Sequence, residues 1–566
     1  MTLADAIERG TAAAPALLTA SGRVLTYGDL AARGAALRAW LRATGIDRRG
    51  VVALAMRGGP AAVEATLAAA SEAACAPLPF RQTAAERLAA LDRLDPGLLL
   101  ADAPSPDDLR LAAERGIPVV RLHTDEAGTL DLAATMAPAP PAAAAGVRVQ
   151  VGGLGLLLPT SGTTGASKLV PLPAAALLRA AELVAGTLGL RAGDRCLDAM
   201  PLHHTHGLVG GALASLWAGA SAIVPPGFSD AAAAAGLRRL GATWYTAVPA
   251  IHARVAELAE AGALRGERLR FVRSTSARLP GTLRWRLEAA LGVPVVEAYA
   301  LTEAPGQIAS GVPGEPVRPG SVGRAYGCEL DVLDSGEVLV RGDHVTPGYL
   351  EMAGAALRPL AGGWLRTGDL GVLGGDGSLR LVGRVDDVIN RAGEKVLPAE
   401  VEDALLRCPG VRDAAVAGLA DPVLGEAVGA LVAGDVDVAS LRARLAETLS
   451  PHKVPDVLRL AGRVPRSATG KVDRRALAAA LAEGRRPAPG ESVIDGTAAA
   501  WRSVLGEGAG LDDHFLDLGG ASLQAAQIEH LVAERFGVPL PARSVLAGGG
   551  TIRALAEVVE RLLAGA

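Results

Sequence analysis

The chain has 566 residues, half of them hydrophobic but only 3% aromatic, and a formal net charge of −4. That charge excludes a general affinity for nucleic acid, and no apolar run is long enough to span a bilayer. Met1 to Gly22 lacks the basic start and sustained apolar core of a signal peptide, so a cytoplasmic protein without a membrane partner is expected.

Length alone suggests roughly three to four units. Cys75, Cys196, Cys328 and Cys408 are far apart with no C-x-x-C pair, which suits buried small hydrophobes better than a disulfide framework or zinc site. From the start to about residue 380, alanine-rich helical stretches alternate with short Val/Leu-rich runs such as Val51–Met56, Pro118–Leu122, Ala222–Pro225, Thr243–Val248 and Val293–Ala298. Such alternation predicts α/β layering with largely parallel sheets. Pro138–Ala145 reads as a surface connection.

The most informative stretch is Leu158-Pro-Thr-Ser-Gly-Thr-Thr-Gly-Ala-Ser-Lys168, which follows the apolar run Leu154 to Leu158. Glycines let successive N–H groups turn toward one point, and hydroxyls and Lys168 add donors around it, which is how a backbone nest holds a polyphosphate. It is not a Walker A loop, and taken alone it is equally readable as a solvated turn. Past Gly336, Glu337–Arg341 and Ser378–Val382 read as half-exposed strands. A compact unit from about 385 to 480 follows, with helices over Ala399–Cys408 and Val438–Leu449. Glu483 to Glu491 is a linker stiffened by proline and charge, and beyond it lie amphipathic helices at 495–505, Ser522 to Phe536 and Ile552 to Leu563. Residues 495–566 hold nine acids against five arginines, which accounts for the whole negative surplus.

Five motifs stand in order: the Thr160–Lys168 loop, Ala298-Tyr-Ala-Leu-Thr-Glu303, Trp364-Leu-Arg-Thr-Gly-Asp-Leu370, Gly383-Arg-Val-Asp-Asp-Val-Ile-Asn390 and Pro465-Arg-Ser-Ala-Thr-Gly-Lys471. Together they resemble the adenylate-forming superfamily of acyl-CoA synthetases, luciferases and nonribosomal-peptide adenylation domains. The middle of the chain, with Met200-Pro-Leu-His-His-Thr-His-Gly-Leu208, Ala242–His252, Leu269-Arg-Phe-Val-Arg-Ser-Thr-Ser-Ala277 and Ile389–Lys395, resembles the oxalate–CoA ligase branch. Asp513-His-Phe-Leu-Asp-Leu-Gly-Gly-Ala-Ser522 resembles acyl or peptidyl carrier proteins, whose serine receives a 4′-phosphopantetheine arm; a serine there is otherwise a helix N-cap.

The resemblance implies an α/β fold: a large multi-sheet α/β N-terminal domain over 1–384, a small mobile α+β domain over 385–484, a linker over 485–494 and a helical-bundle carrier domain over 495–566. It also implies roles. Thr160, Ser161, Gly162, Thr163, Thr164 and Gly165 would hold the ATP phosphates with Lys168, Glu303 would be the Mg²⁺ carboxylate, and Thr302 would touch the α-phosphate. Tyr299 would stack on adenine near Ser276 and Ala277, Asp369 would accept from the ribose hydroxyls, and Arg384 would touch the same sugar. Lys471 would offset charge in the adenylation transition state, and Asp386, beside Asp387, would be the hinge on which the small domain turns. Solvated surface charge is the alternative for the acids and for Lys471.

On the acyl side, His204 and His206 with Ser274 would border the substrate, and His252 is either a neighbour or a packed core histidine. Amino-acid-activating relatives carry an aspartate in the region matching Pro201–Gly207, where this chain has His203, His204, Thr205 and His206. Without that carboxylate an α-ammonium would be buried uncompensated, so the expected substrate is a small carboxylic acid lacking one, oxalate-like or another small polar acid. The histidine spacing fits no zinc pattern. Departures from the branch at Ser167-Lys-Leu-Val170, Thr275 and Arg278 leave the acid open. The expected reaction is ATP-dependent formation of acyl-AMP, then transfer to the thiol on Ser522 of the chain's own carrier, with a phosphopantetheinyl transferase and a downstream biosynthetic enzyme as partners. The alternatives are a CoA ligase with a non-essential tail and a silent nucleotide-binding module.

Overall fold

A computed structural model describes residues 2–566 apart from 81, 127, 137–147, 150, 160–167, 265, 317, 319, 422–423, 467–471, 483–491, 507, 519, 521, 539, 541–543, 548 and 565–566, and apart from the side chains of 475, 482, 522, 523, 534, 547 and 564. The chain divides into two compact units, Met1–Leu381 and Val382–Ala566.

In the first unit the short Val/Leu runs become strands buried on both faces, as parallel sheets covered by helices require. One six-stranded sheet runs Val119–Arg121, Leu98–Ala101, Val51–Ala55, Ala74–Leu78, Leu154–Pro159, Leu169–Pro173. All its neighbours are parallel except the last pair, which is antiparallel and carries residues 160–168 as its connection. A nine-stranded sheet runs Arg324–Ala325, Ala309–Ser310, Val295–Tyr299, Phe271–Ser274, Trp244–Ala247, Arg195–Asp198, Ser221–Ile223, Pro15–Leu18, Val24–Thr26. Helix Pro60–Glu72 is buried along almost its whole length, and with Ala174–Thr187 it shares one hydrophobic core with strands of both sheets. Its two buried acids are paired, Glu64 with Arg33 and Glu72 with Arg42, each at 2.5 Å, which lets the helix be enclosed. This is the structural use of so much alanine: small side chains let a helix lie close between layers.

The parallel strands Arg195–Asp198, Trp244–Ala247, Phe271–Ser274 and Val295–Tyr299 end on the same edge. In open α/β sheets the loops after the carboxyl ends of strands carry the site, and nearly all the acyl-side candidates follow these four. A four-stranded antiparallel sheet, Glu329–Val332, Glu337–Arg341, Leu365–Leu373, Leu379–Arg384, holds Asp369, and its last strand crosses the division between the units.

The second unit contains a mainly antiparallel sheet built on the long hairpin Val411–Asp421 and Gly425–Gly434, with Ile389–Arg391, Glu394–Val396 and Val457–Leu460 beside it. Helices Pro398–Leu406 and Val438–Thr448 share one core with this sheet, and Arg474–Ala482 packs on it through Leu477 and Leu481. Beyond it, helices Val493–Leu505, Ser522–Phe536, Ser544–Ala547 and Ile552–Ala564 enclose Trp501, Phe515, Ile528, Val532 and Val559.

Candidate active site

Residues 160–167, and with them Thr160, Ser161, Gly162, Thr163, Thr164 and Gly165, lie outside the described residues, but the exit of the loop is described. Leu169 and Leu350 exchange two backbone hydrogen bonds of 2.8 and 2.9 Å, which brings Tyr349 against Lys168. The Lys168 ammonium sits 5.3 Å from the Tyr349 ring centroid. The Tyr349 hydroxyl donates to Glu303 Oε1 at 3.3 Å, and the Thr346 N–H donates to the Glu303 carbonyl at 2.7 Å. Burial, with Glu303 beside it, pushes the Tyr349 phenol well above its ordinary range, so it remains a donor. Tyr349 thus has an ammonium by its ring and a carboxylate at its hydroxyl where the loop rejoins the sheet, with Thr302 half-buried in the turn beside Glu303. That donor set fits a magnesium–polyphosphate, which needs oxygen ligands for the cation and a fixed positive charge for the phosphates.

Tyr299 ends its strand buried, and its hydroxyl donates to Asp369 Oδ2 at 2.6 Å. The two motifs are 70 residues apart in sequence yet joined directly. Stacking would use the ring and leave this hydroxyl in place, so Tyr299 can orient Asp369 as well as present a face. Ser276 stands at φ +72°, a left-handed conformation unusual for a residue with a Cβ, and Ala277 follows it half-buried.

The Ser276 hydroxyl is hydrogen-bonded to His206 Nδ1 at 3.0 Å, and His206 Nε2 to Thr246 Oγ1 at 2.7 Å. Both ring nitrogens are therefore occupied by hydroxyls, and burial, with Arg273 nearby, holds the imidazole neutral. His206 opens a π-helical segment, His206–Leu213, a form frequent at functional sites. His204 is half-buried with its ring 4.3 Å from that of His203. Ser274 is buried with no hydrogen-bond partner for its hydroxyl, while Thr275 donates to the Ala298 carbonyl at 2.8 Å. His252 is fully buried against Tyr245, whose hydroxyl is 3.1 Å from its Nδ1.

Sequence reading passed over Asp198, Thr246, Arg273 and Tyr349. Asp198, Thr246 and Arg273 face one another in register across three neighbouring strands, and Asp198 and Arg273 are fully buried. A signal existed: Gly207-Leu-Val-Gly-Gly211 strips side chains from the helix above them. A Cβ at Gly211 would lie 2.4 Å from Asp198 Oδ2, and one at Gly210 2.9 Å from Arg273 Nη1.

In the second unit Arg384 ends a strand and Asp386 lies exposed in the short helical turn Val385–Asp387, next to Asp387, which pairs with Arg474 at 3.0 Å. Lys471 lies outside the described residues. Its flanks are joined by a bridge between Arg466 and Val472, and Arg466 is tied to Asp413 at 2.8 Å. Ser522 begins its helix, though its side chain is also outside the described set. The turn before it is shaped by Phe515, which packs edge-on to Trp501 and leaves no room for a Cβ at Gly520. No helix among the described residues is long and apolar enough to cross a membrane.

Comparison with known proteins agrees with this geometry. The model of the AMP-binding enzymes matches residues 4–350, that of the AMP-binding enzyme C-terminal domain matches 400–471, and that of the phosphopantetheine attachment site matches 497–559. An oxalate–CoA ligase of Arabidopsis thaliana is 38% identical over 57% of this chain, and a sulfoacetate–CoA ligase of Cupriavidus necator is 37% identical over 56%. These matches span 66% and 65% of the relatives' own lengths. An isonitrile lipopeptide synthase of Streptomyces coeruleorubidus is 33% identical over 92% of this chain and 37% of its own length. Among solved structures, ATP-bound MatB from Rhodopseudomonas palustris superposes with a TM-score of 0.75 at 27% identity, covering 85% of this chain and 98% of that one.

Proposed function

The chain belongs to the AMP-binding enzymes, as an adenylate-forming ligase with a phosphopantetheine carrier domain on the same polypeptide, and from that premise we propose that it activates a small non-amino carboxylic acid and loads it onto its own carrier. The observation that carries the choice of acid is the surroundings of His206. Where an α-ammonium would need a carboxylate, the site presents a neutral imidazole between two hydroxyls. The nearby acid, Asp198, is buried and its carboxyl is pushed well above the usual range. Burying an ammonium there would be expensive.

In this reading the acid's carboxylate attacks the α-phosphorus of ATP, pyrophosphate leaves, and the acyl-AMP bond replaces the one broken. Both reactants are anionic, so charge neutralisation and positioning dominate. Lys168 and residues 160–165 hold the phosphates, Thr302 meets the α-phosphate, and Glu303 supplies the carboxylate for Mg²⁺, which would spread charge over the phosphate oxygens. Tyr299, with Ser276 and Ala277, places the adenine, while Asp369 and Arg384 fix the ribose. His204, His206, Ser274 and Thr275 border the acid. Lys471 enters for adenylation and leaves as the small domain, 385–484, turns at Asp386. The arm on Ser522 supplies the thiol that takes the acyl group from AMP.

The linker expected over 485–494 is shorter at its end, because helix Val493–Leu505 already includes residues 493 and 494. The ten residues 483–492 between helices can reach at most ~33 Å, and short tethers give effective concentrations of about millimolar, which favours loading in cis. A transferase installs the arm, and a later biosynthetic enzyme consumes the thioester. Intact-protein mass spectrometry of the pantetheinylated chain with ATP and an acid panel tests this: one acyl mass on the protein is expected, absent from Ser522→Ala. Acyl transfer seen only to added free CoA would overturn loading in cis and leave a CoA ligase.

A further inference from the structure

Tyr349 lies half-buried on a short strap, Val345-Thr-Pro-Gly-Tyr-Leu350, in the chain between the turn of Glu303 and the strand of Asp369. The strap is fastened to the strand that leaves the 160–168 loop. Leu350 and Leu169 exchange their backbone hydrogen bonds, and Thr346 Oγ1 is 2.8 Å from the Pro171 carbonyl oxygen on the same strand. On its other side Gly348–Tyr349 pairs antiparallel with Arg358–Pro359. The approach is so close that a Cβ at Gly348 would lie 2.1 Å from the Arg358 carbonyl oxygen, which only glycine allows. The backbone that carries Tyr349 is therefore fixed from both sides.

From that backbone the side chain meets three charged groups. Its hydroxyl donates to Glu303 Oε1 at 3.3 Å, while the Thr346 N–H holds the Glu303 carbonyl at 2.7 Å. One strap thus grips both the side chain and the backbone of the same glutamate. Around the ring stand the Lys168 ammonium, 5.3 Å from the centroid, and the Arg358 guanidinium at 5.9 Å, both within the reach of a cation–π contact. A phenylalanine would fill the same half-buried space, so packing does not account for the hydroxyl on the carboxylate.

Glutamate and lysine side chains are long and lose much rotamer freedom when a ligand orders them. Holding them beforehand removes that cost from binding. Tyrosine suits the task, because it is large, has only two side-chain torsions and offers an apolar face with a polar tip.

We propose that Tyr349 is a positioning residue for adenylation, holding Glu303 ready for the divalent cation through its hydroxyl and Lys168 ready for the polyphosphate through its ring. This rests on the reading above that Glu303 serves Mg²⁺ and Lys168 the phosphates.

The test measures nucleotide binding to the full-length protein by calorimetry without an acid substrate, so that no turnover occurs. Each variant is titrated with ATP in Mg²⁺, with ATP in EDTA, and with AMP, which lacks the β- and γ-phosphates. Tyr349→Phe keeps the ring and loses the hydroxyl, and is expected to weaken Mg–ATP binding about tenfold while metal-free ATP and AMP stay within about twofold. Tyr349→Leu loses the ring as well, and is expected to weaken metal-free ATP also, by about threefold, with AMP again unmoved. In pyrophosphate exchange the KM for Mg–ATP should rise in Tyr349→Phe while the KM for the acid holds. A merely structural role would move all three nucleotide titrations together, and that result overturns the assignment. So does a Tyr349→Phe protein that keeps the wild-type gain in ATP affinity from Mg²⁺. Glu303→Gln tests the parent reading, since it should erase that gain. If Glu303→Gln erases the gain and Tyr349→Phe keeps it, the assignment of Tyr349 is wrong and the reading of Glu303 stands. If Glu303→Gln itself keeps the gain, the reading of Glu303 falls.

Discussion

Burial of neutral histidines makes the first unit acid-sensitive in a way that can be calculated. His252 and His344 are both 0% exposed. Desolvation lowers His252 to about 3, opposed by the carbonyls of Ala247 and Arg273. It lowers His344 to about 4, with Arg179 acting in the same direction and Asp343 and the Gln307 carbonyl against it. The unfolded chain binds a proton at each near pH 6.5 and the folded chain does not. Their contribution is therefore complete above pH 6.5 and is lost as pH falls toward the folded values. At pH 5 each histidine costs about 2 kcal/mol relative to pH 8, so the pair shifts the folded-to-unfolded ratio roughly a thousandfold. Urea midpoints followed by tryptophan fluorescence at pH 7.5, 6 and 5 measure this, because Trp244, stacked on Phe271, is fully buried. Replacing His252 or His344 with Phe should shift the baseline at every pH and remove about 2 kcal/mol of the loss between pH 7.5 and 5. If parent and variants lose the same stability over that interval, these imidazoles are not buried neutral and the reasoning fails.

Further outcomes follow from the proposed roles and from the contacts named above. Lys471→Ala should reduce adenylate formation by roughly 10²–10³, read as pyrophosphate release, with ATP binding little changed. Tyr299→Phe removes the donor to Asp369 and should raise the KM for ATP by about tenfold with the acid's KM unmoved, since a bond to a charged group contributes about 1.5–3 kcal/mol and only part is felt in binding. Gly211→Ala forces a Cβ against the Asp198 carboxyl and should destabilise the first unit by about 1–3 kcal/mol in urea unfolding, whereas Gly227→Ala, with open space around it, should not.

The family, and with it a list of candidate site residues, was legible because adenylation chemistry needs particular residue types close together in sequence. A Ser/Thr/Gly loop ending in lysine, a Thr-Glu pair after a strand and a Gly-Gly-Ala-Ser turn before a helix are each ambiguous alone and gain their meaning from standing in order on one chain. The buried runs Val51–Ala55 and Val295–Tyr299 were equally readable, because a strand covered on both faces is apolar throughout. Tyr349 was not legible: nothing near it in sequence marks it, and it reaches Glu303 only because Leu350 pairs with Leu169. The pairing of Tyr299 with Asp369 likewise depends on two sheets meeting.

The chemistry and the order of domains were determined by the sequence itself, through motifs short enough for their residues to act together wherever the chain carries them. Tertiary structure alone decided which polar groups are denied water and left without a partner. Arg273 stands in sequence as one arginine among many. It becomes a buried cation only when three strands align it with Thr246 and Asp198 beneath a glycine-lined helix. Desolvation is a property of everything packed around a group, and that cannot be read from its neighbours along the chain.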